Sequence, residues 1–239
     1  MKQYLRLKPF KAISFDLDDT LYDNMPHIMK AESELSLFMQ DNFTAPANWG
    51  ISQWRLLKSD VIVEHAELAH DTSAARYEVL RQGLLKWGYC EVEATRGAQL
   101  GMECFNFNRS NFKVTDEVLE LLKKLAQHFP LVGITNGNVN SSRIGLENAL
   151  DFVVHPGHGV RMKPYSDLFD LSCQHLDIAP SELLHVGDHA ISDVLGARKA
   201  GCQSIWLNLH TEENKQAKSI LPHIEIKQLQ DILRLIEYR

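Results

Sequence analysis

Ala12-Ile13-Ser14-Phe15, followed at once by Asp16-Leu17-Asp18-Asp19-Thr20, is the stretch of sequence that decides the fold. The first four residues form a short apolar run, which predicts a buried strand that ends in a group of acids. Asp16 and Asp18 lie so close together that their charges repel each other unless a cation or a proton intervenes. A solvated acidic turn is the alternative that this stretch alone leaves open.

Further along the chain, short apolar runs alternate with helical patterns. The strands predicted after the first one are residues 131–135, 152–154, 183–186, 204–207 and 224–226. The helices predicted between and after them are one that begins after Thr115 and those at 167–175, 190–200 and 229–236. Continuous apolar strands that alternate with helices are typical of a parallel sheet covered on both faces. We therefore expect an α/β fold with a Rossmann-like, doubly wound parallel sheet.

A long helical stretch interrupts this alternation directly after the first strand. Its predicted helices are residues 25–41, 52–70, 73–87 and 91–107, and we find no convincing strand among them. About ninety residues are enough for a small domain. We expect an α/β core domain made of residues 1–20 and 112–239, with an inserted all-helical domain at 21–111. A single larger α/β domain with extra helices is the alternative.

The composition limits the classes of partner. The chain has 239 residues, with 25 Lys plus Arg against 31 Asp plus Glu, and a net charge of −6. Nucleic acids and anionic membranes both need a basic surface, so neither is expected as a partner. No apolar run is long enough for a membrane span, and the N-terminus is too charged for a signal peptide. The cysteines have no close C-x-x-C spacing, which favours reduced thiols and a cytoplasmic location. The oligomeric state cannot be predicted.

A second acidic element follows a later strand. Gly187-Asp188 comes directly after the strand at 183–186, and Asp193 lies five residues further on, where a helix begins. Ligands of open parallel sheets bind beyond the carboxyl ends of the strands, so Asp188 and Asp16 converge if their strands are neighbours. Clustered carboxylates suit a hard cation, for which we expect Mg²⁺. Asp193 either supports the metal indirectly or is an acid favoured by the helix dipole.

Two further strand ends carry groups suited to an anion. Thr135-Asn136-Gly137 combines a hydroxyl with backbone amides at a flexible turn, and a plain turn is the alternative. Lys163 precedes Pro164, and its ammonium suits both a phosphate and a carboxylate, although alone it is an ordinary surface lysine. The expected anion is the phosphate group of a small-molecule ester.

These groups together predict phosphoryl transfer. Mg²⁺ and Lys163 screen the negative charges, and Thr135 with nearby backbone amides positions the phosphate oxygens. Asp16 then attacks phosphorus in line and becomes an aspartyl phosphate. Asp18 donates a proton to the leaving oxygen and later takes one from the water that hydrolyses the intermediate.

The motifs resemble those of the haloacid dehalogenase-like hydrolase superfamily. The matching stretches are Asp16-Leu17-Asp18-Asp19-Thr20, Ile134-Thr135-Asn136-Gly137, Lys163-Pro164 and Gly187-Asp188 with Asp193, in the family's order. The resemblance implies that residues 21–111 are a helical cap. It further implies that Asp16, the backbone carbonyl of Asp18 and Asp188 hold Mg²⁺, while Asp193 supports the metal's water shell.

The acid at Asp18 implies a phosphatase or a phosphomutase, because dehalogenases of the family have no ester oxygen to protonate and lack this residue. Longer stretches, Asp16 to Asn24 and Leu221 to Ile226, are similar to a flavin-pathway branch of the family. This similarity implies hydrolysis of 5-amino-6-(5-phospho-D-ribitylamino)uracil, with flavin mononucleotide as a further substrate. A phosphomutase, a broad-specificity sugar or nucleotide phosphatase, and a phospho-accepting signalling domain are the alternatives.

Overall fold

The computed structural model describes residues 1–209 and 220–238. The expected core range 112–239 therefore includes residues 210–219 and 239, which lie outside the described part of the chain. Seven strands of that part form a single sheet in the order β1-β7-β6-β5-β2-β3-β4. The strands are β1 (Lys2–Gln3), β2 (Ala12–Phe15), β3 (Leu131–Ile134), β4 (Phe152–Val154), β5 (Leu183–Gly187), β6 (Gln203–Leu207) and β7 (Ile224–Ile226).

The sheet is parallel except at one edge, where β1 pairs antiparallel with β7. Strand β1 was not predicted, because two exposed residues carry no apolar pattern. Strand β2, which ends in the acids, lies between β3 and β5. All four of its residues are buried, as are those of β3 and β5. The predicted α/β fold with a mostly parallel sheet is confirmed.

Helices cover both faces of the sheet. Helix α5 (Asp116–Ala126) and the final 3₁₀ helix (Leu229–Tyr238) pack on the face that contains Ile13. Helices α6 (Asp167–Leu176) and α7 (Gly196–Lys199) pack on the opposite face, which contains Ala12. The alternation of Ala12 and Ile13 between the two faces follows from the two-residue period of a strand.

The predicted helix at 190–200 is two elements in the structure. A π-helical turn at Ala190–Leu195 precedes the short helix α7, and Gly201 ends the segment with a φ of +82°. A left-handed φ is readily adopted by glycine, which explains the helix stop that the sequence predicts here. Thr115 does precede α5 as expected, but its side chain makes no capping hydrogen bond.

Four α-helices lie between β2 and α5. They are α1 (Met25–Asn42), α2 (Ile51–Glu64), α3 (Thr72–Lys86) and α4 (Glu91–Arg109). The single helix predicted at 52–70 is broken at His65, which leaves the helical region of φ and ψ, and a 3₁₀ helix at Ala66–His70 follows. None of the described helices is long and apolar enough to cross a membrane.

These helices bury their apolar side chains mainly against one another. One cluster, which includes Leu35, Leu84 and Phe105, has no buried member outside residues 31–105, and a smaller one centres on Leu57 and Val61. Domains are recognised by a hydrophobic core of their own. We therefore propose that residues 21–111 are a cap domain and that residues 1–20 and 112–239 form the core domain.

Glu225 in β7 anchors the antiparallel edge of the sheet. Its carboxylate accepts hydrogen bonds from the Tyr4 hydroxyl at 2.7 Å and the Asn208 amide at 2.8 Å, and it pairs with Lys227 at 2.8 Å. Partial burial raises the pKa of Glu225, but the hydrogen bonds from Lys227, Tyr4 and Asn208 outweigh burial and lower it to about 2. The folded state therefore favours the ionised carboxylate more than the unfolded chain does.

We expect Glu225→Gln to lower the free energy of unfolding at pH 7 by about 1.5–3 kcal/mol, the usual range for hydrogen bonds to a charged group. Because the folded pKa lies below the unfolded one, this contribution is present above about pH 4.5 and is lost as the pH falls toward 2. Urea unfolding of the wild type and of Glu225→Gln between pH 7 and pH 3 measures the difference in the free energy of unfolding. The exposed Glu64→Gln serves as the control, and a pH-independent difference between wild type and Glu225→Gln would contradict the assignment.

Candidate active site

The carboxyl ends of β2 and β5 bring the two acidic elements together. Phe15 pairs with Val186 in parallel register, and the Asp16 amide donates to the Val186 carbonyl at 2.8 Å. Asp16 and Asp188 therefore leave the sheet at the same edge. Carboxylate oxygens of Asp16, Asp188 and Asp193 all lie within 4.8 Å of one another. We name these three residues the carboxylate cluster.

Lys163 is a buried member of this site and not a surface lysine. Its ammonium donates to carboxylate oxygens of Asp16 and Asp193, each at 2.7 Å, and to the Ile134 carbonyl at 2.6 Å. Only 2% of the residue is exposed. Burial lowers the pKa of Lys163, but the charges of Asp16 and Asp193 outweigh it and leave the pKa above its ordinary value. The ammonium is therefore a fixed positive charge beside Asp16.

The carboxylate cluster has more negative charge than Lys163 can balance. With all groups ionised, three carboxylates face one ammonium, which leaves an excess of two negative charges. Burial and the neighbouring acids Asp193 and Asp19 raise the pKa of Asp188 to about 6. Burial and the charges of Asp193 and Asp188 likewise raise the pKa of Asp16 despite Lys163. A divalent cation held by these oxygens would offset the excess, so the donor set fits a hard dication.

Asp193 is fixed by three donors. Its Oδ1 accepts from Lys163 and lies 3.2 Å from Nε2 of His185, and its Oδ2 accepts from the His189 amide at 2.9 Å. Burial raises the pKa of Asp193, but the charge of Lys163 and the His185 hydrogen bond outweigh it and bring the pKa below its ordinary value. Asp193 therefore does more than a helix-dipole acid, because it positions Lys163.

Gly187 makes the close approach of Asp193 possible. A Cβ atom at residue 187 would lie 2.2 Å from Cγ of Asp193, which is closer than van der Waals contact allows. The glycine at the end of β5 therefore has a steric role in the site.

Ser14 and His185 extend the site into the sheet and were not among the predicted site residues. The two residues face each other across β2 and β5, and the Ser14 hydroxyl lies 2.9 Å from Nδ1 of His185. Burial lowers the pKa of His185, so the ring is neutral and Nε2 donates to Asp193 when Nδ1 accepts from Ser14. The sequence indicates only that His185 packs within its strand. The register between β2 and β5 is what reveals its partners.

The turn after β3 contains the predicted anion cradle. Thr135 is fully buried, and its hydroxyl oxygen accepts from the Gly137 amide at 2.9 Å. The Asn136 side chain donates to the Lys163 carbonyl at 2.9 Å and accepts from the Lys163 amide at 2.7 Å. Asn136 thus fixes the backbone of Lys163, and both polar atoms of the Asn136 side chain are used in these two hydrogen bonds. This turn links β3 to the lysine that touches Asp16.

The Asp18 carboxylate lies apart from the carboxylate cluster. Its Oδ1 accepts from the Tyr22 hydroxyl and from Nη2 of Arg109, each at 2.5 Å. Arg109 is the last residue of α4 and Tyr22 precedes α1, and neither was among the predicted site residues.

A cavity of about 460 Å³ lies between the helices and the turn after β3. It is lined by Phe107 and by the polar side chains of Ser73, Glu103, Asn106, Ser110, Asn138, Asn140 and Arg143. The side-chain amide of Asn138 donates to the Ser73 hydroxyl at 3.1 Å, so helix α3 contacts the turn directly. Asn138 follows Gly137, which itself lies against Asp18. The turn after β3 thus links the cavity to Asp18, although Asp16, Asp18 and Lys163 do not line it.

Known proteins of similar sequence and structure span the whole chain. The chain is 36% identical to the 5-amino-6-(5-phospho-D-ribitylamino)uracil phosphatase YigB of Escherichia coli K12, over 99% of this chain and 100% of that protein. It is 24% identical to the putative HAD-hydrolase YfnB of Bacillus subtilis, over 96% of this chain and 97% of that one. The crystal structure of a 2-haloacid dehalogenase from Pseudomonas syringae superposes with a TM-score of 0.88 at 30% identity and covers 96% of this chain and 99% of its own.

The match to a family model covers strands β2 to β5 and the site. The haloacid dehalogenase-like hydrolase model matches residues 10–201, a range that contains every predicted site residue from Asp16 to Asp193. The four motifs that suggested this family from the sequence therefore lie within the matched range and at the carboxyl edge of one sheet. The chain belongs to the haloacid dehalogenase-like hydrolase family.

Proposed function

We propose that this hydrolase is a Mg²⁺-dependent phosphatase that cleaves small phosphate monoesters through an aspartyl-phosphate intermediate. The observation that carries the proposal is the contact of Asp16 with the buried ammonium of Lys163 at 2.7 Å. A carboxylate attacks a phosphate dianion only where positive charge offsets their repulsion. Lys163 supplies part of that charge.

Mg²⁺ would supply the rest of it, by offsetting the charge of the carboxylates and of the phosphate oxygens when bound. Asp16, Asp188 and the backbone carbonyl of Asp18 are the groups we assign as its ligands. Asp193 would support the water shell of the ion, in addition to its contact with Lys163. Carboxylate and carbonyl oxygens are the ligand types that Mg²⁺ prefers.

The first step forms a bond between an Asp16 oxygen and phosphorus, while the bond from phosphorus to the ester oxygen breaks. Asp18 gives its proton to that oxygen, so the product leaves as an alcohol. Thr135 and the amides of its turn bind the non-bridging oxygens, with Lys163 beside them. Asn136 serves this step indirectly, since its side chain holds the backbone of Lys163.

The second step regenerates the enzyme. Asp18, now ionised, takes a proton from a water molecule, and the water oxygen attacks phosphorus. The bond between phosphorus and the Asp16 oxygen breaks, and inorganic phosphate leaves. Both steps use the same two carboxylates, which agrees with their separate environments in the structure.

For the substrate, we propose 5-amino-6-(5-phospho-D-ribitylamino)uracil, with flavin mononucleotide as a second one. The proposal rests on the name of the relative YigB and on the cavity near the turn after β3, which several polar side chains line. Hydroxyl, amide and charged side chains suit a polyol chain or a nitrogen heterocycle better than a hydrocarbon. A small phosphorylated metabolite also agrees with the cytoplasmic location expected from the sequence. A broad sugar or nucleotide phosphatase and a phosphomutase are the alternatives within the same chemistry.

Dehalogenation is a second candidate because the similar crystal structure from Pseudomonas syringae is described as a 2-haloacid dehalogenase. A halide ion leaves carbon without taking a proton. Dehalogenation therefore does not need a proton donor at Asp18. Release of halide from a 2-haloacid, with no phosphate released from any ester, would favour this candidate.

We expect Asp16→Asn to lower kcat by at least about 10³-fold, because an amide is a poor nucleophile. Asp18→Asn should lower kcat on alkyl phosphates by about 10²–10⁴-fold, the usual size of acid–base assistance. Phosphate release measures both, with the exposed Asp60→Asn as a matched control. Wild-type rates in Asp16→Asn would remove Asp16 from its role.

A panel of phosphorylated metabolites compared by kcat/KM tests the substrate. We expect ribityl-aminouracil phosphate to exceed sugar phosphates and nucleotides by at least about 10-fold, since polar groups in the cavity discriminate by 1.4 kcal/mol or more. Equal values across the panel would indicate a broad phosphatase. An isomerised phosphate ester in place of inorganic phosphate would indicate a phosphomutase.

Metal dependence can be measured by activity and by stability. Removal of divalent cations with a chelator should abolish turnover, and added Mg²⁺ should restore it. Mg²⁺ should also raise the melting temperature of the wild type, because a ligand that binds only the folded state stabilises it. Asp188→Asn should lose most of this rise, whereas Asp60→Asn should keep it. An unchanged rise in Asp188→Asn would contradict the assigned ligand set.

A further inference from the structure

We propose that Tyr22 and Arg109 are positioning residues for Asp18, and that they hold its Oδ1 so that Oδ2 is the atom that exchanges the proton with the leaving group. The inference rests on the proposed phosphatase function. Its basis is the pair of 2.5 Å contacts that Oδ1 receives from the Tyr22 hydroxyl and from Nη2 of Arg109. Two donors on one oxygen, one of them charged, fix the carboxylate strongly.

The second oxygen of Asp18 faces the turn that follows β3. A Cβ atom at Gly137 would lie 2.5 Å from Oδ2, so Oδ2 packs directly against this glycine. Within the described residues, the Tyr22 hydroxyl and Nη2 of Arg109 both donate to Oδ1 and not to Oδ2. The Gly137 amide donates to the Thr135 hydroxyl, which belongs to the proposed phosphate cradle. Oδ2, which neither Tyr22 nor Arg109 contacts, is therefore the Asp18 oxygen that lies beside the proposed phosphate cradle.

Arg109 is unusual for an arginine in its burial. Only 2% of the residue is exposed, and its Nη1 atom is buried without a hydrogen-bond partner in the described structure. Its ion pair in the described structure is with the Asp18 carboxylate. A buried guanidinium has little freedom to move, so this charged contact holds Oδ1 in one position.

Tyr22 is well suited to act as a fixed donor. Its hydroxyl donates directly to Oδ1 of Asp18. Its ring packs edge-on against Phe112 at 4.8 Å, and Phe112 in turn stacks on His27 at 3.6 Å. These contacts hold the tyrosine ring independently of Asp18.

The two positioning residues come from the two points where the chain passes between the sheet and the helices. Tyr22 lies between β2 and α1, and Arg109 ends α4. Asp18 is thus held by both connections at once. The orientation of the acid depends in this way on how residues 21–111 are seated on the sheet.

The dependence of the rate on the leaving group separates this role from a merely structural one. An alkyl ester needs a proton on its leaving oxygen, whereas p-nitrophenolate leaves readily without one. Only a defect in proton donation therefore affects the alkyl ester more strongly. The parameter kcat/KM depends on the steps up to the breaking of the ester bond. It does not depend on the later hydrolysis of the aspartyl phosphate.

The experiment compares kcat/KM for glycerol 2-phosphate and p-nitrophenyl phosphate in wild type, Asp18→Asn, Tyr22→Phe and Arg109→Lys. For both positioning variants we expect a loss of about 10-fold or more on the alkyl ester and about 3-fold or less on the aryl ester, which is the pattern expected for Asp18→Asn. Tyr22→Phe keeps the ring and its packing, so it tests the inference even if Arg109→Lys does not fold.

Matched controls remove comparable groups away from Asp18. Tyr89→Phe deletes a hydroxyl that accepts from the Thr44 amide, and Arg76→Lys alters the arginine that packs over Phe105. Both should retain wild-type values on both esters. Equal losses on the two esters in Tyr22→Phe and Arg109→Lys, or no loss, would overturn the inference while the proposed function stands. A wild type that releases phosphate from neither of these esters nor from ribityl-aminouracil phosphate would overturn the proposed function and the inference with it.

Discussion

The buried ammonium of Lys163 is the interaction on which the site depends. It joins Asp16 at the end of β2 to Asp193 after β5, and it also binds the carbonyl of Ile134 at the end of β3. Three neighbouring strands are therefore tied at one edge by a single charge. Without it, two buried carboxylates would face each other, a costly arrangement in a medium of low polarity. The same charge makes the edge attractive to an anion.

The site divides its acids between two environments. Asp16, Asp188 and Asp193 share a polar centre with excess negative charge, whereas Asp18 lies apart with Arg109 and Tyr22. The proposed reaction gives Asp16 and Asp18 different tasks, and groups with different tasks need different surroundings. The helices after β2 supply the second environment, and the sheet supplies the first.

Much of this could be predicted from the sequence, for identifiable reasons. Buried parallel strands are continuous apolar runs, so β2, β3 and β5 and the polar residues that follow them could be predicted directly. The contacts of His185 could not be found, because they depend on its register opposite Ser14. The burial of Arg109 depends on how α4 returns to the sheet, which no local pattern encodes. The two-residue strand β1 was missed because it lies at an exposed edge.

The most direct test of the account is to locate the phosphoryl group during turnover. Wild-type protein mixed with excess flavin mononucleotide and Mg²⁺ is quenched with acid within the first turnover, digested and analysed by mass spectrometry. The account predicts one added phosphoryl group on the peptide that contains Asp16, at that residue, and none when Asp16→Asn is treated in the same way. Full release of phosphate with no phosphorylated Asp16 at any time of quenching, or a phosphoryl group on another residue, would contradict it.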